Sequence, residues 1–164
     1  QEIGYTQQAA LASGKVDAVV GYSNNDAVQL AQNGTAVRTL AIGEDVPLVG
    51  ASLITSSDAL STRRDELAEV VAASATGMTS FIDDPDAAVE ATEEYVPDLA
   101  DTTQAAHARE VAVATGDLVR GDGTRDIGSV RVEDIAPMID FLSSYGLLGE
   151  EEVRDSDVCV PLGQ

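Results

Sequence analysis

The sequence has no Trp, one Cys, one His and one Lys among its 164 residues, and aromatics make up only 4%. Each scarcity excludes something. A single cysteine, Cys159, forbids an internal disulfide and any zinc site built on several cysteines. One histidine, His107, lies far from that cysteine in sequence, so nothing local supports a Cys–His catalytic pair. No apolar run approaches the roughly 20 residues needed to span a bilayer. Basic residues number 9 against 29 acidic ones, a formal charge of −20. Such a field repels phosphate backbones and anionic lipid, which argues against nucleic acid or a membrane surface as partner. The acidic residues are spread along the chain, as on a solvated surface suited to solubility or high salt. The sequence starts at Gln1 without a start Met or signal peptide, which suggests a processed or truncated chain.

What is present is a 44% apolar complement rich in Ala, Val, Leu and Ile, enough for a real core. Residues 7–13 predict a short helix closed by Gly14. Val16–Val20 predicts a buried strand. Residues 25–33 predict a helix capped by Asn24 or Asn25 and closed by Asn33-Gly34. Val37–Ile42 and Val46–Thr55 predict two further extended runs. This early β/α alternation points to a parallel α/β sheet. Beyond Thr55 the pattern turns helical. A long helix capped by Ser61 or Thr62 ends near Ile82. Another starts at Asp84-Pro85. A third begins with a capping-box-like Asp101/Gln104 pair and reaches about Val119. A last one covers about 132–145, with Pro137 in its early turns and Gly146 at its stop. The tail "DSDVCVPLGQ" reads as irregular, with at most one short strand. Strands that stop a third of the way along suggest the back part of a larger protein.

Two polar stretches carry no chemistry by pattern. "RGDGTRDIG" lacks the oxygen ligands and the final Glu of an EF-hand loop, and it lacks the Gly-Lys-Ser/Thr end of a phosphate loop. Asp86, Glu90, Glu93 and Glu94 fall on the polar side of a surface helix. The stretch "GYSNND" is different. Gly21, Tyr22, Ser23, Asn24 and Asn25 stand where a strand gives way to a helix, the place where open α/β sheets bind ligands. The plain alternative is a capped turn.

"GYTQQAALASGKVDAVVGYSNNDAVQLAQNG", "VPLVGASLITSSDAL", "DPDAAVEATEEYVPDLAD" and "IDFLSSYGLLGE", in that order, resemble the solute-binding proteins of bacterial ABC importers. The branch is the one of thiamine-pyrimidine-precursor, sulfonate, nitrate and taurine binders. The resemblance covers nearly the whole chain. It implies a type II periplasmic-binding-protein-like α/β fold of two lobes with the ligand between them. Residues 1–54 would be part of the second lobe, including the strand that crosses back. Residues 55–164 would be the C-terminal helical segment and tail, packing on the first lobe. By the same resemblance Gly21, Tyr22, Ser23, Asn24 and Asn25 would line the cleft, with Gly4, Tyr5 and Thr6 as weaker candidates.

The expected function is therefore capture of a small organic solute, without catalysis, cofactor or metal. Asp26 in the first helical turn, and the lack of Arg or Lys beside it, favour an aminopyrimidine-like ligand over an anion. Alternatives are a sulfonate- or nitrate-type binder, a regulatory ligand-sensing domain, or a pyrimidine-synthase-like enzyme, whose Cys- and His-rich active region has no counterpart here. The implied partners are the small-molecule ligand and an ABC permease. Exposed lobe-facing apolar surface would favour self-association. The implied location is extracytoplasmic, periplasmic or lipid-anchored.

Overall fold

A computed structural model describes residues 6–42, 46–149 and 152–162. The chain forms two compact units. One comprises Gln1–Thr39 and Thr79–Arg125, the other Leu40–Met78 and Asp126–Gln164.

In the first unit, helix α1 (Gln7–Ala12) is followed by a five-residue π-helical turn, Ser23–Ala27, that runs directly into α2 (Val28–Gln32). Gly34 ends α2 at φ +76°, a left-handed conformation that a side chain would strain. The Thr35 and Gly34 amides then donate to the Leu30 and Ala31 carbonyls at 2.8 and 3.0 Å, satisfying acceptors that the helix end leaves open. Helix α3 (Ser57–Thr62) belongs to the second unit, and α4 (Arg64–Asp83) follows it. Next come α5 (Pro85–Glu93) and, after a 3₁₀ turn at Pro97–Ala100, α6 (Thr102–Arg120). Neither Asn24 nor Asn25 caps the helix that follows, since no side chain bonds the first amides of the π-helical turn or of α2, but two other caps expected from sequence are formed. Asp84 Oδ1 accepts from the Ala87 amide at 3.0 Å. Asp101 Oδ1 accepts from the Thr103 and Gln104 amides at 2.9 and 3.0 Å.

Helix α6 is the organising element of the first unit. It packs against α5, α2, the π-helical turn and the 3₁₀ turn. Its small residues Ala112 and Gly116 are buried, and Gly116 lies against Ile82 at the end of α4. Ala10 and Leu30 complete the buried apolar set of this unit. In the second unit a 3₁₀ turn (Val132–Asp134), helix α7 (Ile135–Ser144) and helix α8 (Asp155–Val158) pack together, burying Ile135 and Cys159.

The strands expected at Val16–Val20, Val37–Ile42 and Val46–Thr55 are not formed: among the described residues there is no strand. The α/β expectation is therefore not met among the described residues, which are helical. A strand exists only when a neighbour completes its hydrogen-bond ladder, and these runs have none among the described residues. Their side chains are correspondingly uncovered, with Val20 86% and Ile54 94% exposed. The tail also differs: where at most a strand was expected, residues 155–158 form a single helical turn. No helix among the described residues is long and apolar enough to cross a membrane.

Candidate functional site

The segment Gly21–Asn25 is the entry to the π-helical turn. Tyr22 is extended (φ −92°, ψ 125°), and its carbonyl accepts from the amides of both Asn25 and Asp26, at 3.1 and 2.8 Å. π-helical turns are rare in proteins and occur often at functional positions.

The turn is held from two sides by side chains of the same unit. On one side stands Asp26, only 5% exposed. Its Oδ2 accepts from the Tyr22 backbone amide at 2.8 Å. Its Oδ1 accepts from Gln8 Nε2 at 2.9 Å and from Gln7 Nε2 at 3.3 Å, both on α1. Burial alone pushes this carboxyl up. The hydrogen bonds from Gln8, the Tyr22 amide and Gln7 outweigh it, and the group titrates below its ordinary value. On the other side, Asn24 Nδ2 donates to Thr115 Oγ1 of α6 at 2.9 Å, and that hydroxyl in turn donates to the Val111 carbonyl at 2.7 Å. Gln29 Nε2 donates to Asn25 Oδ1 one turn later. Gln32 Nε2 donates to Glu110 Oε2 at 2.7 Å, a further bond between α2 and α6.

Gly21 has a steric reason to be glycine. A Cβ there would stand 2.6 Å from Asp26 Oδ2 and 3.0 Å from its Cγ. The backbone can pass the carboxylate only without a side chain.

The expected site residues thus divide. Gly21, Tyr22 and Ser23 are exposed, and the Tyr22 ring stands out at 77% exposure. Asn24 and Asn25 are half-buried and each commits one polar atom to the fold. Asn24 Oδ1 and Asn25 Nδ2 make no hydrogen bond among the described residues. Thr6 precedes α1, whose first two residues reach Asp26, so its end of the helix adjoins the turn. Gly4 and Tyr5 lie outside the described residues. The features that sequence reasoning missed are Gln7, Gln8 and Thr115. From sequence, Asp26 is a first-turn carboxylate that competes with an anionic ligand for the positive end of the helix. It lies instead behind the turn, buried and fully bonded. The one available signal was the adjacent pair of amides at 7 and 8, a pattern too common to single out.

The other polar stretches make local bonds. Asp122 Oδ1 accepts from the Thr124 amide and hydroxyl at 2.9 and 2.6 Å, an Asx-type turn. Asp86 of α5 pairs with Arg109 of α6 on the surface.

Comparison with known proteins adds to this geometry. The NMT1/THI5-like family profile matches residues 1–88, just over half of the chain, and that span contains the whole turn. The riboflavin-binding protein RibY of Chloroflexus aurantiacus is 36% identical over 99 residues, which is 60% of this chain and 28% of that protein. The matched part is thus under a third of the relative's length. No solved structure matches.

Proposed function

The chain belongs to the NMT1/THI5-like family, and from that premise we propose that it is part of the substrate-binding component of an ABC importer, with a planar nitrogen heterocycle as its ligand. Its work is capture and handover to a membrane permease outside the cytoplasm, not catalysis. Residues 1–54 then contribute to a ligand-binding lobe, and residues 55–164 supply the C-terminal helices.

The observation that carries this reading is the character of the Gly21–Asn25 turn. It offers an exposed aromatic ring, an amide oxygen and an amide nitrogen, and its stretch of sequence carries no cation. No Lys or Arg occurs between Lys15 and Arg38. A sulfonate or nitrate needs positive charge or free backbone donors. Here the Tyr22 amide is already taken by Asp26. A neutral ring edged with nitrogen and oxygen suits the turn better, because Tyr22 can stack on its face and the two Asn side chains can bond its edge. An aminopyrimidine has this chemistry. So does the isoalloxazine of riboflavin, the ligand named for the relative.

Calorimetric titration of the protein at its full natural length tests the reading, with riboflavin, an aminopyrimidine and an alkyl sulfonate as probes. Saturable binding of either heterocycle, with sulfonate binding at least about 100-fold weaker, is the expected outcome. Preferential binding of the sulfonate would overturn it.

A further inference from the structure

The turn would not need a buried carboxylate to cap it. Asn or Ser would accept one backbone amide equally well. Yet an ionised group is placed behind it, almost fully buried, with both oxygens occupied. One oxygen holds the backbone of Tyr22, and the other holds two side chains of a different helix, 18 and 19 residues earlier in the chain. The neighbouring Gly21 gives up its side chain so that this oxygen can come close. Removing a carboxylate from water is costly unless each lone-pair direction is used, so its retention here needs a role.

We propose that Asp26 is the positioning residue of the ligand turn: its carboxylate fixes the Tyr22 backbone against α1 and so sets the direction in which the Tyr22 ring is presented. The inference rests on the reading of Tyr22 as ligand-facing, and it assigns the work of pre-organisation to a residue that touches no ligand. An exposed ring on a loose turn would lose rotational and backbone freedom when it stacks. The bond from the Tyr22 amide to Asp26 removes the backbone part of that loss before the ligand arrives. Gln7 and Gln8 keep the carboxylate from turning. Asn24 on Thr115 holds the far end of the same turn.

Amide hydrogen exchange on the ligand-free, full-length protein reads this directly, in the natural sequence and in Asp26→Ala, Asp26→Asn and Gln8→Ala. The Tyr22 amide is expected to exchange about tenfold or more faster in Asp26→Ala, with the change confined to residues 21–26 and α1. Asp26→Asn is expected to rescue the slow exchange. Its Oδ1 can still accept from Tyr22, and its amide can donate to a flipped Gln8. Gln8→Ala, which removes one bond only, is expected to fall between, and it carries the test if Asp26→Ala does not fold. Unchanged Tyr22 exchange would overturn the proposal. So would faster exchange spread equally over α5 and α6, which would mark Asp26 as a general stabiliser. Because no ligand is present, failure of riboflavin and the aminopyrimidine to bind would sink the transport reading without altering this result.

Discussion

Asn24 and Thr115 stand 91 positions apart in the chain, and the Asn24 side-chain amide donates to the Thr115 hydroxyl at 2.9 Å. The bond joins the exposed turn to the best-packed helix of its unit. Thr115→Val keeps the shape and leaves the half-buried Asn24 amide without its acceptor. A loss of about 1 kcal/mol in chemical denaturation is expected. Thr115→Ser keeps the acceptor and should lose less. Equal losses for the two would mean that the methyl group, not the hydroxyl, is what matters.

Two helical glycines should accept alanine. Gly77 lies inside α4, and a Cβ there meets nothing within 4 Å. Gly77→Ala should stabilise by about 0.5–1 kcal/mol, since alanine loses less backbone entropy in a helix. Gly116 of α6 is closer to its neighbour. An added Cβ would lie 3.6 Å from Ile82 Cγ1 and 3.7 Å from Ile82 Cα, ordinary contact distances. Gly116→Ala should therefore be neutral to mildly stabilising, whereas Gly116→Leu should cost about 1–3 kcal/mol by overfilling the contact. Thermal unfolding of the three variants checks the order.

Gly21→Ala should behave in the opposite way. Its Cβ would press on Asp26 Oδ2 at 2.6 Å, and the buried carboxylate has no open side to move toward. A loss of about 1–3 kcal/mol is expected, with ligand affinity falling as the turn shifts. Combining Gly21→Ala with Asp26→Ala should cost less than the sum of the two, because the clash disappears with the carboxylate.

The Asp26 carboxyl titrates below its ordinary value of 3.8. Its folded-state pKa is depressed, so the stability it contributes is present above the unfolded value and is lost as pH falls through the folded one. The difference in unfolding free energy between the natural protein and Asp26→Asn should therefore be constant from about pH 5 to 7 and shrink below about pH 4. Urea denaturation across that range measures it. A difference that grew on acidification would mean the carboxyl is raised, not lowered.

Helices were legible because their signals are local. Asp84 before Pro85, Asp101 before Thr102 and Gly34 after Gln32 each act within one turn, and each appears where the sequence placed it. Two expected caps are absent, and the first is Asn24 or Asn25, whose side chains bond Thr115 and Gln29 instead of a helix-start amide. Ser61 and Thr62, read as caps of the long helix, belong to the end of α3, whose actual cap is Ser56. The apolar runs at 16–20, 37–42 and 46–55 carry strand composition, but a strand is a relation between two segments, and composition names only one of them. The candidate turn was legible as a polar break between an apolar run and a helix. The bonds that hold it were not. Gln8 to Asp26 and Asn24 to Thr115 span 18 and 91 residues, and no periodicity encodes either pairing.

The proposed function requires that the exposed Tyr22 ring meet a planar heterocyclic ligand. Its most direct test is the dissociation constant of riboflavin, and of an aminopyrimidine, for the full-length protein and for Tyr22→Ala and Tyr22→Phe. At least one of the two heterocycles should bind the natural protein. Loss of stacking should weaken that ligand by about tenfold in Tyr22→Ala, while Tyr22→Phe keeps most of the affinity. Unchanged affinity in Tyr22→Ala, or an alkyl sulfonate binding more tightly than both heterocycles, would contradict the claim.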